Sequence, residues 1–319
     1  MLRTTPLPAP CIGDRLHDRF HLLQACGDSP AGVLFDALDE QTAEVVRLRF
    51  PHGTIDPVRL GVQHPTLVRH LAIAEGGSYL VMEDLEGAPL ELTTEGSAVL
   101  RVWEVAAQLM PLFAELHRHG VAHECLGLHS LWRDIDGHTR VVDLGIASEL
   151  DERTSPYASP ERRRGEEQDQ RSDVYSLAAL LFAVAEGAPP AVTALKPSAP
   201  VTTTLPEPVA RILARAMSPR AVFRYADAGT LWAELEPVLR ECLDAELHAN
   251  HVGSPTLDDP TSSMEHDRAS SLPPAPPRRK RPARTHWQWL AAAAVLIASV
   301  SAASAMLTGL AAFVWIQLA

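Results

Sequence analysis

The feature that most constrains the fold is a segment at residues 171–184 whose apolar side chains cover nearly every face of a predicted helix. Its apolar members include Leu177, Ala178, Leu180, Leu181, Phe182 and Val184. A helix that is apolar all round has to be surrounded by protein. A second helix is predicted at residues 98–119, but there the apolar residues recur at the spacing of one helical face. We therefore expect a helical layer that is packed around the first helix.

The first part of the chain has the pattern of strands. Between residues 20 and 50 the sequence indicates a strand, a glycine-containing turn and two further strands. Residues 66–74 and 78–82 predict two more strands around a Glu-Gly-Gly turn. Strands that are followed by helices indicate an α+β fold class.

Composition excludes some functions. The chain has 319 residues and a formal net charge of −12, and nucleic acid is therefore not expected as a partner, because phosphate binding needs a basic surface. The four cysteines are scattered, which favours a reducing compartment over a disulfide framework or a zinc site. Lys196 and Lys280 are the only lysines, so none lies in the first 195 positions.

Several motifs occur in a fixed order. They are GVLFDALD at 32–39, HECLGLHS at 123–130, DLG at 143–145, SPE at 159–161 and RSDVYSL at 171–177. In this order and spacing they resemble the motifs of bacterial Hanks-type serine/threonine protein kinases. The resemblance covers about residues 18–245 and implies a bilobal fold, with a β-rich N-lobe at 18–86 and a helical C-lobe at 87–245. Residues 1–17 would form an N-terminal extension.

The resemblance also assigns structural roles. It implies that Arg224 pairs with Glu161, and that Asp173 caps the backbone of the catalytic loop. These three residues match the family pattern.

A nucleotide site is implied as well, although several of its parts are altered. In the family a glycine-rich loop covers the phosphates of ATP, a lysine pairs with them, and the hinge binds the adenine. The lysine position falls on Arg49, or on Arg47 if the register slips. Met82 takes the gatekeeper position. The residues that the resemblance places at a nucleotide are Gly27, Gly32, Arg49, Met82, Glu83, Leu85 and Asp143.

The residues that perform the chemistry are mostly replaced. His123 keeps the scaffold histidine of the catalytic loop, but the base, the lysine and the asparagine are Cys125, Gly127 and Ser130. A thiol is a poor base for a hydroxyl, and general-base assistance is worth roughly 10²–10⁴ in rate. Asp143 is the single metal ligand retained, so ATP and Mg²⁺ stay open as cofactors.

Two further regions allow structural predictions. Two prolines and two glycines between residues 50 and 63 exclude a long helix, so the family's helix αC and its ion pair should be reduced or missing. His117, His119, His123 and His129 cluster in sequence. We interpret them as a solvated helix end and one scaffold histidine, because no acid or cysteine stands at a matching spacing for a metal.

The last part of the chain predicts a membrane anchor. Residues 246–286 have the composition of a disordered juxtamembrane linker, which includes the basic segment RRKRPAR at 278–284. A transmembrane helix is predicted at 287–319, with residues 290–318 in the lipid bilayer. The basic segment places the kinase-like domain in the cytoplasm and the C-terminus outside the cell membrane. A stripe of small residues along the helix would permit a homodimer.

Together these features predict a membrane-anchored pseudokinase that acts as a signalling scaffold or regulatory binding module for a protein partner, either an active kinase or its substrate. One alternative is an atypical but active kinase that relies on Arg49, Asp143 and a displaced acid such as Asp134 or Asp136. Another is a nucleotide-binding sensor without turnover.

Overall fold

The computed structural model describes residues 10–146, 155–190 and 203–252. The strands are β1 (Arg15–Leu16), β2 (Phe20–Ser29), β3 (Gly32–Asp39), β4 (Glu44–Pro51), β5 (His70–Ile73), β6 (Leu80–Met82), β7 (Gly87–Pro89), β8 (Leu131–Asp134) and β9 (Thr139–Val141). The helices are α1 (Pro57–Leu60), α2 (Ala98–Arg118), α3 (Pro160–Arg164), α4 (Gln170–Glu186), α5 (Glu207–Ala216) and α6 (Ala228–Val252).

The N-lobe is an antiparallel sheet of six strands in the order β1-β2-β3-β4-β6-β5. Successive side chains of a strand point to opposite faces, so each strand can contribute to two different clusters. Leu48 of β4 packs with Phe35 and Tyr79 in an aromatic-rich cluster, while Arg47 and Arg49 point the other way. This alternation aims two cationic side chains at the cleft between the lobes.

The glycine-rich segment is a tight hairpin. The apolar run predicted at 21–25 belongs to β2, which continues to Ser29 and leaves only Pro30 and Ala31 for the turn. Gly32 opens β3 with φ +130°, and a Cβ there would lie 2.0 Å from the carbonyl oxygen of Phe50. Glycine is therefore required at 32, because β4 passes too close for any side chain.

The helix that should be αC is reduced to α1, which has four residues, as the prolines and glycines of this segment predict. Asp56 caps it by accepting a hydrogen bond from the backbone N–H of Val58 at 3.0 Å. In the next segment β5 is shorter than the strand predicted over residues 66–74. Leu67 instead makes an isolated bridge to Val141.

The C-lobe is built around α4, which is buried along nearly its whole length as its apolar sequence predicts. The amphipathic helix α2 packs its apolar face against α4 and α6, and Leu109 and Phe113 are fully buried there. Burying a side chain of this size stabilises the fold by about 1.5–3 kcal/mol. The C-lobe also has a small sheet in the order β7-β8-β9. Strand β8 follows directly after the catalytic-loop region.

Within the described ranges, no helix is both long and apolar enough to cross a membrane. The predicted transmembrane helix at 287–319 lies outside the described residues, as does most of the predicted linker. Helix α6 extends past residue 245, the predicted end of the kinase-like domain, and ends at Val252.

Candidate functional site

Asp173 and two histidines support the catalytic loop. The Asp173 carboxylate accepts hydrogen bonds from the backbone N–H groups of His123 at 2.6 Å and Glu124 at 2.9 Å. The Nε2 atom of His117 lies 3.1 Å from it. Burial opposes the ionised carboxyl, but the hydrogen bond from His117 and the nearby imidazoles hold the pKa of Asp173 below its usual value.

The interpretation of His117 as part of a solvated helix end is wrong. The residue is only 4% exposed, and its Nδ1 accepts a hydrogen bond from the backbone N–H of Ala228 at 3.0 Å. His117 therefore connects α2, α4 and the start of α6. Sequence spacing alone missed this role, because its partners are far away in the chain.

The pair implied for Glu161 and Arg224 is present. The guanidinium of Arg224 donates to the two carboxylate oxygens of Glu161 at 2.6 and 2.8 Å, and Ser172 donates its hydroxyl to the same group at 2.6 Å. Burial raises the pKa of Glu161, but these hydrogen bonds prevail and lower it to about 2.

Neighbouring residues pack around the catalytic-loop positions that differ from the family. A Cβ on Gly127 would lie 2.7 Å from the imidazole of His129, so this histidine takes the space of a lysine side chain. Ser130 is fully buried, and its hydroxyl has no hydrogen-bond partner among the described residues. Cys125 is half-buried. Burial lowers the pKa of His123 to about 4, so its ring is neutral at pH 7.

Arg49, not Arg47, lies beside Asp143. Its Nη2 atom is 2.7 Å from Oδ1 of Asp143, and the two side chains are 3% and 1% exposed. Its Nη1 donates to the carbonyl oxygen of Gly32 at 2.8 Å and to the hydroxyl of Ser29 at 3.0 Å. Arg49 therefore neutralises Asp143 directly and bonds the turn of the glycine-rich hairpin, where a nucleotide phosphate would have to enter.

Around Asp143 the structure offers a magnesium ion one carboxylate, and a guanidinium lies against it. Mg²⁺ takes six oxygen ligands in near-octahedral geometry. Among the described residues, the only three acid, histidine or cysteine side chains close enough together to share a metal are Asp134, Asp136 and His138, in the β8–β9 turn. Asp143 is not one of them, and a guanidinium already lies against its carboxylate.

Asp134 and Asp136 lie at the hairpin turn between β8 and β9. The Asp134 carboxylate accepts hydrogen bonds from the backbone N–H groups of Asp136 at 3.1 Å and His138 at 2.8 Å, which closes its own hairpin turn. The turn is mostly exposed. The Asp134 carboxylate is therefore engaged in local structure.

The hinge residues are present but covered. Met82 and Leu85 are 1% and 3% exposed and belong to one apolar cluster. The other members of that cluster are Leu34, Val68, Trp132 and Val142. The backbone N–H of Glu83 donates to the carbonyl oxygen of Arg69 at 3.0 Å, and its carboxylate pairs with Arg69 and Arg140. The side chains at this hinge therefore contact other parts of the protein itself.

Arg59 and Glu124 form a contact that sequence reasoning missed. Glu124 stands where the family has the arginine of its catalytic loop, and its carboxylate lies 2.6 Å from Nη2 of Arg59 in α1. The same helix start is held by a hydrogen bond of 2.8 Å from the backbone N–H of Asp56 to the carbonyl oxygen of Gly145. The reversed charge at 124 is the signal in the sequence that could have indicated this contact.

A cavity of about 280 Å³ lies on another part of the surface. Its lining includes Arg59, Glu124, Gln168 and Asp169. None of the residues implied to contact a nucleotide lines it.

No protein-family model matches the chain. It is 31% identical to the serine/threonine-protein kinase PknB of Mycolicibacterium smegmatis over an alignment that covers 40% of this chain and 24% of that protein. It is 25% identical to the serine/threonine-protein kinase PrkC of Bacillus subtilis, where the alignment covers 70% of this chain and 41% of that protein. The chain thus spans less than half the length of these relatives.

Among solved structures, a double mutant of the Mycobacterium tuberculosis PknI kinase domain matches with a TM-score of 0.53 and 18% identity. The match covers 72% of this chain and 99% of that one. At this identity the likeness shows the fold alone. The described part therefore has the bilobal protein-kinase-like fold that the motifs predict, and its homologues are serine/threonine protein kinases, bacterial ones among them.

Proposed function

We propose that this chain is a pseudokinase: a protein-kinase-like domain that is impaired in phosphoryl transfer and serves as a signalling scaffold or regulatory binding module. The observation that carries the proposal is the buried ion pair between Arg49 and Asp143. It places the positive charge of the residue in the lysine position against the negative charge of the single retained metal ligand.

The catalytic loop supports the same proposal. Catalysis of phosphoryl transfer depends on positioned metal ions, cations at the phosphates and a base at the hydroxyl. Here the base position is Cys125, and the lysine position is Gly127 with His129 packed against it. Losing base assistance alone costs roughly 10²–10⁴ in rate. What remains is a C-lobe with a buried apolar core around α4.

We further propose that the partner is a protein of a signalling pathway, either an active kinase or its substrate, and that the module works at the inner face of the cell membrane. The uncharged stretch 290–318 and the basic segment 278–284 motivate this location. The test is proteolysis of intact cells and of inverted membrane vesicles. The domain should be cleaved only in the vesicles, and cleavage in intact cells would contradict the orientation.

Phosphoryl transfer is tested with the full chain in mild detergent. Incorporation of labelled phosphate into the chain itself or into casein should equal that of the Asp143→Ala variant. Incorporation that is clearly higher, and is lost in the variant, would establish the active-kinase alternative. Thermal unfolding with ATP, with and without Mg²⁺, separates the other cases: the scaffold gives no shift, whereas a sensor gives a shift that does not require the metal.

A further inference from the structure

A second cationic side chain closes the cleft next to the hinge. Arg47 of β4 is the register partner of Met82 in β6, and its side chain is only 8% exposed. Its guanidinium carbon lies 4.4 Å from the centroid of the Trp132 ring. Trp132 belongs to β8 in the C-lobe, so this contact crosses from one lobe to the other.

Two acidic residues lie close to the Arg47 guanidinium. Its Nε lies 3.1 Å from a carboxylate oxygen of Asp36 in β3 and 3.8 Å from one of Asp84 in the hinge. A buried arginine needs such partners, because an uncompensated charge in the interior is very unfavourable. The charge of the buried Arg47 side chain is therefore compensated by two nearby carboxylates.

This place coincides with the expected adenine position. Asp84 lies between Glu83 and Leu85, the two hinge residues assigned to the base. Met82, Leu85 and Trp132 share one buried cluster, and Arg47 covers its aromatic member. A guanidinium is planar and delocalised and stacks on aromatic faces, so it can replace a flat heterocycle in such a cluster.

We propose that the stacked pair of Arg47 and Trp132 occupies the site of an adenine ring and joins the two lobes without a nucleotide. Shortening the Arg47 side chain then exposes the Trp132 ring to a purine base. The ligand class of this latent pocket is a neutral purine nucleoside, because Arg49 and Asp143 still block the phosphate end. The inference goes beyond the scaffold function and does not depend on which partner the scaffold binds.

The experiment compares thermal unfolding of the full chain and its Arg47→Ala variant in detergent, with and without millimolar adenosine and with a metal chelator. Adenosine should leave the wild type unchanged. In the variant, a ligand at several times its Kd should raise Tm by about 2 °C or more. Arg118→Ala is the matched control, since Arg118 is 70% exposed on the last turn of α2, and it should behave as the wild type.

Two results would overturn the inference: a wild-type shift as large as that of the variant, or a folded variant that adenosine does not stabilise. Arg47→Ala can fail to fold because it leaves the Asp36 carboxylate without its partner. In that case the same measurement is made on the double variant Arg47→Ala with Asp36→Asn, which removes the negative charge as well. Hydrogen exchange on the wild type gives a readout that needs no variant. Protection of residues 80–86 and 131–134 by adenosine would show an open pocket and would also contradict the inference.

Phosphate incorporation is measured separately from purine binding. A wild type that binds adenosine but transfers no phosphate contradicts only this inference. A wild type that transfers phosphate contradicts the proposed function.

Discussion

At the scale of single residues, the ion pair of Glu161 and Arg224 links helix α3 to the segment that precedes α6. Replacing Glu161 by Gln leaves the buried guanidinium of Arg224 without its counter-charge. Breaking a buried pair from one side costs about 3–5 kcal/mol. We expect Glu161→Gln to lower the free energy of unfolding by roughly that amount at pH 7, measured by urea denaturation.

The same pair predicts a pH dependence. The folded-state pKa of Glu161, about 2, lies below the usual value of about 4.3, so its contribution to stability is present above the usual value. That contribution is lost as the pH falls through about 2. The difference between wild type and variant should therefore shrink below about pH 4. Glu166→Gln is the control, since its pair with Arg164 is half exposed on both sides, and it should change the free energy of unfolding far less than Glu161→Gln does. Equal effects of the two variants would contradict the prediction.

Gly127 and His129 should be energetically coupled. A Cβ at 127 would lie 2.7 Å from the imidazole carbon of His129, so Gly127→Ala forces the ring to move. We expect a loss of about 1–3 kcal/mol from overpacking, measured by denaturant unfolding.

In the His129→Ala background, the same change at 127 should cost less by at least about 0.5 kcal/mol. Additive effects in this double-mutant cycle would show that the ring does not occupy the lysine space.

At the scale of elements, the sequence predicted the two central helices and the hairpin strands because their periodicity is local. It also predicted the loss of the long αC helix, since proline and glycine act on the segment in which they stand. The contacts of Arg47 with Trp132 and of Arg49 with Asp143 were not predicted, because they join distant segments across the cleft. Their indirect signal is two arginines in alternation on one apolar strand, Arg47 and Arg49, each of which needs a buried partner.

The short helix α1 keeps its place through Arg59 rather than through an αC glutamate. The Arg59–Glu124 pair is about three-quarters buried, and the hydrogen bond to Glu124 raises the pKa of Arg59. We predict that Arg59→Ala increases amide hydrogen exchange in residues 55–62 at least several-fold, because a helix of four residues is not stable through its own hydrogen bonds.

Exchange in β2 and β3 should stay unchanged in this variant, which makes the rest of the sheet an internal control. Arg118→Ala removes an arginine of the same charge from an exposed position and should alter neither region. A uniform increase over the whole N-lobe in Arg59→Ala would instead indicate global destabilisation.

At the scale of the whole molecule, the lobes are joined by side chains at the positions where a nucleotide would otherwise contact both. Arg47 reaches Trp132 beside the hinge, and Arg49 reaches Asp143 at the phosphate end. A fold that supplies these contacts itself can present a fixed surface independently of ATP. Under the proposed scaffold function, the altered motifs and the intact C-lobe core have a common explanation.

This explanation predicts how the Arg49–Asp143 pair responds to replacement. Arg49→Met alone leaves a buried carboxylate without its counter-charge and should lower the free energy of unfolding by about 3–5 kcal/mol. Replacing both residues, Arg49→Met with Asp143→Leu, should recover most of that loss, since an apolar pair of similar volume is often neutral or stabilising. Denaturant unfolding of the full chain measures both variants. If the pair were kept for a metal and ATP, nucleotide with Mg²⁺ would stabilise the wild type and not the double variant; equal curves with and without nucleotide for both support a purely structural pair.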